Sequence, residues 1–202
     1  MNRKKLIGIA RAAMGKQRTH PARETGYIFH HCLRSARLAM ELVERIDAPL
    51  ETSKDVIFAA ALFHDVGKCI EPHSETGALL VANLLADEMK PNDLANTARI
   101  VREHNRRGQG GDHWTACQVV QDADLLDHFG TQGIWLCFHW SGKFDQTVAQ
   151  TLEFYDGREN RRHLVESRKS LNFKASRRIF DERIAFEREF FDHLAAECQD
   201  EP

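Results

Sequence analysis

The stretch Asp55-Val56-Ile57-Phe58-Ala59-Ala60-Ala61-Leu62-Phe63-His64-Asp65-Val66-Gly67-Lys68 decides how this chain reads. Ser53 stands where a helix cap belongs, and from Val56 to Phe63 the residues are apolar almost all the way round. Such a segment reads as the central buried helix of a domain. Its far end carries an imidazole beside a carboxylate, His64 and Asp65, just before Gly67, which fits a helix stop. Ionisable groups placed against a core are kept when they are paired or when they hold a cation.

Working outward, apolar residues recur at helical spacing and strand signals are scarce, which predicts an all-α protein. Leu6, Ile7, Ile9, Ala10, Ala13 and Met14 mark a short first helix, followed by a turn-rich stretch from Gly15 to Gly26. A long helix runs from about Tyr27 to Ile46, with Leu33, Ala36, Leu38, Ala39, Leu42, Val43 and Ile46 as its inward stripe. The central helix spans Asp55 to about Val66, helix resumes near Ser74, and Pro91 and Asn92 open another that ends at His104. A loop rich in Arg and Gly, Asn105 to Asp112, separates this from a helix over Thr115 to Phe129. An aromatic segment at Trp135 to Trp140, a helix at Val148 to Tyr155 and a polar stretch at Asp156 to Arg162 lead to a last long helix over about Ala175 to Cys198. The expected organisation is a lead-in over 1–25, a metal-binding core over 26–140 and a helical extension over 141–202 packed back on that core. Exposure of the aromatics of the last helix would instead mark a homodimer face.

A chain of 202 residues is long enough to bury a core of its own, and a formal net charge of -2 gives no field that would gather nucleic acid or anionic lipid. No stretch approaches the roughly 20 apolar residues of a membrane span, and the basic start Asn2 to Lys5 leads into too short and polar a run for a signal peptide. A soluble cytoplasmic protein is expected. The five cysteines are odd in number and lack Cys-x-x-Cys spacing, so they read as reduced thiols without assigned chemistry.

His31 upstream of the central pair, and His73, His104 and Asp124 downstream, each lie in or beside a helical segment. Nitrogen and oxygen donors without cysteine suit Fe, Mn, Co, Ni, Zn or Mg rather than a thiolate zinc site, and they point to a metal-dependent hydrolase. Asp122 competes with Asp124 for the last position; the apolar neighbours Ala123 and Leu125 favour Asp124. Lys68 falls three residues after Asp65 and four after His64, on one face if the turn continues. There it can bind a phosphoryl oxygen or protonate a leaving group, or it can simply complement the end of the helix dipole. Arg106 and Arg107, followed by Gly108, Gly110 and Gly111, suit a phosphate-binding loop or lid as well as a solvated loop. Arg34, one turn after His31, faces the same region or pairs with Glu24, Asp65 or Asp127. The lone histidines His113, His128 and His139 read as surface or hydrogen-bonded structural groups, and His20, His163 and His193 fall outside the cluster.

These motifs resemble, over about Tyr27 to Gly133, the HD-domain superfamily of metal-dependent phosphohydrolases. The likeness is carried by His31 in His31-Cys32-Leu33-Arg34-Ser35-Ala36, the His64-Asp65 pair, His73 in His73-Ser74-Glu75-Thr76-Gly77-Ala78, His104, and Asp124 in Asp122-Ala123-Asp124-Leu125-Leu126-Asp127. The pattern His-x-x-Arg-x-Ala selects His31 over His30. The tail, with Ser176-Arg177-Arg178-Ile179, Glu182-Arg183 and Phe190-Phe191, resembles a bacterial subgroup with a C-terminal helical extension. The resemblance implies an all-α fold in which His31, His64, Asp65 and Asp124 bind one divalent metal, Fe or Mn first, with His73 and His104 completing a second site bridged by Asp65. It further implies hydrolysis of a small phosphorylated substrate, a nucleotide above all, with Asp65 and Lys68 as catalytic residues and Lys68, Arg106, Arg107 and Arg34 as substrate-binding ones. Seven residues separate Asp65 from His73, fewer than in the family's diadenosine tetraphosphate hydrolases. Two other readings share this ligand pattern: a dinuclear iron oxygenase, and a regulatory module that binds metal without turnover.

Overall fold

The computed structural model describes residues 1–107 and 114–198. The apolar stretch forms α3 (Lys54–Phe63), capped by Ser53, whose hydroxyl accepts the Val56 N–H. Every residue from 56 to 67 is buried, so this helix and the turn after it form the centre of the molecule. Around it stand α1 (Arg3–Met14), α2 (Tyr27–Arg45), α5 (Pro91–Glu103) and α6 (Thr115–Leu126). Between α3 and α5 the chain forms α4 (His73–Leu84), which packs on α5.

α3 ends earlier than the periodicity predicts, at Phe63, and His64 to Lys68 follow as tight turns in which the Val66 N–H donates to Phe63 O and the Lys68 N–H to Asp65 O. The physical reason is the close approach of α4. A Cβ on Gly67 would lie 2.4 Å from His73 O and 2.6 Å from Gly77 N, so only glycine lets the start of α4 rest on this turn. That contact is how a short connection returns His73 to the side of Asp65.

After Gly130 come α7 (Thr131–Lys143), α8 (Val148–Tyr155), α9 (Arg158–Ser170) and α10 (Lys174–Glu197), and no strand occurs among the described residues. Two of these helices escape a reading by pattern. The aromatic segment Trp135 to Trp140 lies wholly inside α7, and most of the polar stretch Asp156 to Arg162 opens α9. Only Ser167 of α9 is buried, so the helix has no apolar stripe to announce it. α10 docks the extension by burying Ile179, Phe180, Ile184 and Phe191 against the neighbourhood of α6 and α7, while Phe186 stays half exposed. Asp122, fully buried, accepts the backbone N–H groups of Asn172 and Phe173 and ties α6 to the start of α10. No described helix is long and apolar enough to cross a membrane.

Candidate metal centre

His31 projects from the first turns of α2, His64 and Asp65 from the turn after α3, His73 from the first position of α4, His104 from the end of α5 and Asp124 from the last turn of α6. The fold brings all six together. His31 Nε2 lies 3.1 Å from His64 Nε2 and 3.1 Å from Asp124 Oδ1, and His64 Nε2 lies 3.5 Å from the same oxygen. On the other side of Asp65, His104 Nε2 is 3.5 Å and His73 Nε2 3.8 Å from Asp65 Oδ1. Donor atoms of His31, His64 and Asp65 fall within 4.8 Å of one another, and so do those of Asp65, His73 and His104.

The orientation of the rings tests whether this set suits a cation. His64 Nδ1 donates to Ala61 O at 2.8 Å, His104 Nδ1 to Val101 O at 2.6 Å, and His31 Nδ1 to Asp127 Oδ2 at 2.8 Å. Each of these imidazoles, when neutral, therefore turns an Nε2 lone pair inward. Lone pairs of His31 and His64 facing each other across 3.1 Å repel unless positive charge lies between them. His73 follows the same plan: Glu71 takes its Nδ1 side at 3.1 Å, and Nε2 is buried without a hydrogen-bond partner among the described residues. Outer partners that fix the tautomer of inward histidines are what a divalent metal site requires. The donors fit.

The carboxylates carry the complementary charge. Burial alone would raise Asp124, but when His31 and His64 are protonated their Nε2–H groups donate to it, and with the charge of Arg107 they hold it well below the usual carboxylate range; a cation would take the place of those protons. Burial likewise opposes ionisation of Asp65, and the positive charges of His64 and Lys68 outweigh it, so that it too stays ionised. His104 is pushed down by its burial and remains neutral.

At the rim, Lys68 Nζ sits 3.2 Å from Asp65. Arg107 Nη2 donates to Asp124 Oδ2 at 2.6 Å and to Gln121 O at 2.7 Å. Arg106 instead pairs with Glu75 and Glu103, and Arg34 is engaged by Asp127 through Nε and Nη2, the ion-pair alternative for this residue. Gly108, Gly110, Gly111 and His113 lie outside the described residues. His30 is exposed and turned away from the cluster. Asp122 faces the extension and is more deeply buried than Asp124, so the apolar neighbours of Asp124 did not distinguish the two.

Two groups at the site are not among the residues that the sequence motifs single out. His128 packs its ring 4.9 Å from that of His31, with Nε2 3.9 Å from Asp124 Oδ1, and burial together with the charge of His31 pushes it down to about 4, leaving it neutral. Its signal was its place four residues after Asp124, one helical turn on. Asp127 supports His31 from behind, with Arg34 as its own partner.

A bundle of helices around a buried His and Asp cluster of this kind defines a class of all-α proteins built to hold metal at the centre. The family model for the HD domain matches residues 28–128, half of the chain, and the protein belongs to that family. No curated protein matches the sequence. Among solved structures, the fold is similar to that of an HD-superfamily hydrolase from Bacillus thuringiensis, with a TM-score of 0.69 and 20% identity over 97% of each chain. It is similar too to Bacillus subtilis YpgQ in complex with ADP, with a TM-score of 0.66 and 20% identity over 96% of this chain and 93% of that one. A Lactobacillus plantarum protein gives a TM-score of 0.60 and 21% identity over 97% of each chain.

Proposed function

We propose that this protein is a metal-dependent phosphohydrolase that cleaves a phosphate ester or anhydride in a nucleotide or another small phosphorylated metabolite. The observation that carries this reading is the convergence of four imidazoles and two ionised carboxylates with two cations, Lys68 and Arg107, on one rim. His31, His64, Asp65 and Asp124 would hold one divalent metal, Fe or Mn by preference, and Asp65, His73 and His104 a second. When bound, such a metal lowers the pKa of water and offsets charge on a phosphoryl group.

The remaining work falls to the chain itself. Asp127 keeps His31 in one tautomer, and the carbonyls of Ala61 and Val101 do so for His64 and His104. Lys68, held by Asp65 at the rim, is in position to donate to a phosphoryl oxygen or to the leaving oxygen. Arg107 holds Asp124 through Nη2, and its buried Nε has no partner among the described residues, a second donor that a phosphate oxygen would satisfy. The ADP held by YpgQ, which shares the fold, supports a nucleotide as the phosphorylated compound.

The test is turnover by protein reconstituted with Mn, Fe, Co or Ni on generic phosphate esters and a nucleotide panel. Cleavage that a chelator abolishes and metal restores is expected; no cleavage with any metal overturns the reading. Substrate-dependent oxygen uptake by the iron form would assign the centre to oxygenase chemistry instead.

A further inference from the structure

A cavity of about 430 Å³ lies beside the metal centre, between the end of α6 and the helices of the extension. That volume suits a small-molecule site. His128 belongs to both places, because the ring that packs on His31 also lines the cavity. The far walls are aromatic. Tyr155 and Phe191 stack with ring centroids 3.9 Å apart, while Trp140 and Phe154 are 40% and 51% exposed. Large rings left open to solvent around one cavity are a binding surface in search of a flat apolar partner.

Two polar groups break this apolar lining. Glu187 is only 4% exposed, and its one hydrogen-bond donor among the described residues is the Gly130 N–H, at 2.5 Å from Oε1. Tyr155 Oη is buried with no hydrogen-bond partner among the described residues. Buried polar groups of this kind are costly unless a ligand completes them. Glycine at 133 leaves room for this carboxylate against α7, since a Cβ there would meet Glu187 Oε1 at 2.3 Å. Arg23, whose guanidinium lies over the Tyr27 ring at 5.2 Å, lines the cavity and adds positive charge on the side toward the metal centre.

We propose that this cavity takes the planar heteroaromatic ring of the substrate, a nucleobase, stacked on the aromatic walls with a ring N–H donated to Glu187, while the phosphate reaches past His128 to the metal centre. The proposal rests on the phosphohydrolase reading of that centre for its phosphate end only. The ring end makes its own demands: flatness from the walls, and an N–H edge from an acceptor that has a single donor.

The first experiment measures binding without turnover: saturation-transfer NMR and calorimetry of the purified full chain with guanosine, adenosine, cytidine and uridine. At least one nucleoside is expected to bind through its ring protons. Trp140→Ala and Phe154→Ala, both at exposed positions that folding tolerates, are expected to weaken it about tenfold, the size of a lost base stack, and Glu187→Gln to change which base binds best. Kinetics of the metal-loaded protein then separate the two readings, with a raised nucleotide KM in the alanine variants and unchanged cleavage of tripolyphosphate, which has no ring. Nucleotide hydrolysis with the same KM in all variants overturns the cavity assignment and leaves the phosphohydrolase reading standing. Nucleoside binding lost in the variants, without hydrolysis of any phosphate compound, keeps the cavity and removes that reading. Failure of all four nucleosides to bind, or a dimer in sedimentation that Trp140→Ala dissolves, overturns the proposal.

Discussion

Asp124 and Asp122 stand two residues apart on α6 and belong to different regions of the molecule. Asp124 turns toward His31, His64 and Arg107, in a core whose buried polar side chains face one another. Asp122 turns toward the extension and accepts from the Asn172 and Phe173 backbone at 2.9–3.1 Å. Glu187 does a similar job from the other side, accepting the Gly130 N–H, and Arg183 donates to Leu126 O. In the core, buried carboxylates and imidazoles face one another in a set whose chemistry suits a cation; in the extension, buried charge satisfies backbone groups where helices end. The lesson is that burial of a carboxylate does not reveal its role, whereas the kind of donor it meets does.

Removing a core group tests the comparison most severely. Asp65→Asn or His64→Ala is expected to lower both metal per chain and phosphate-ester turnover by about 100-fold or more, beyond what loss of an outer partner costs. His30→Ala should stay within about twofold of the parent, because such surface changes are close to neutral. Metal analysis and kcat/KM on the same preparations check this, and equal losses at His30 and His31 would refute the register. Next in size is Asp127→Asn. It leaves every inward donor in place but removes the carboxylate charge that holds the His31 Nδ1–H, and a loss of about 10- to 100-fold in metal affinity is expected by titration against a chelator.

Asp122→Ala should do the opposite: keep the metal and loosen the extension. Two backbone N–H groups lose their acceptor, and a loss of about 2–4 kcal/mol in urea unfolding is expected with metal content unchanged. Loss of metal as well would show that the two regions are not separable. The smallest effect is that of Glu187→Gln. Burial raises the Glu187 carboxyl from 4.5 to about 7. The folded protein therefore holds a proton there that the unfolded chain has released, so this group's contribution is fully present below pH 4.5 and is lost as pH rises to about 7. The glutamine variant is expected to be more stable than the parent at pH 8 by on the order of 1–2 kcal/mol and no more stable at pH 4, a difference that unfolding curves at the two pH values measure.

Much of the core was legible because its signals are local. The apolar run of α3, its serine cap, the stripe of α2 and the proline opening α5 each act within one or two turns, and the helices formed where those signals lie. The extension was harder to read. α9 has so little apolar surface that no periodicity marks it, and the tryptophans of α7 face outward as much as inward, so their pattern belongs to no single buried face. At the site, the motif histidines and aspartates could be singled out from their neighbours in the chain. His128 had only its place one turn after Asp124 to mark it, and Asp127 only its candidacy as a partner of Arg34, because the importance of both lies in what they touch across about 95–100 residues of sequence.

By itself the sequence determined the all-α class, the buried position of His64 and Asp65 and the company of nitrogen and oxygen donors without thiols, since helix periodicity, capping and ligand chemistry are properties of residues and their near neighbours. Tertiary structure alone decided that Gly67 lets α4 settle on the turn beneath it, that Asp122 and Asp124 part ways, that Arg34 is held by Asp127, and that an aromatic cavity opens beside His128. These depend on close approach between helices distant in the chain, and no local signal in the sequence encodes a distance of that kind.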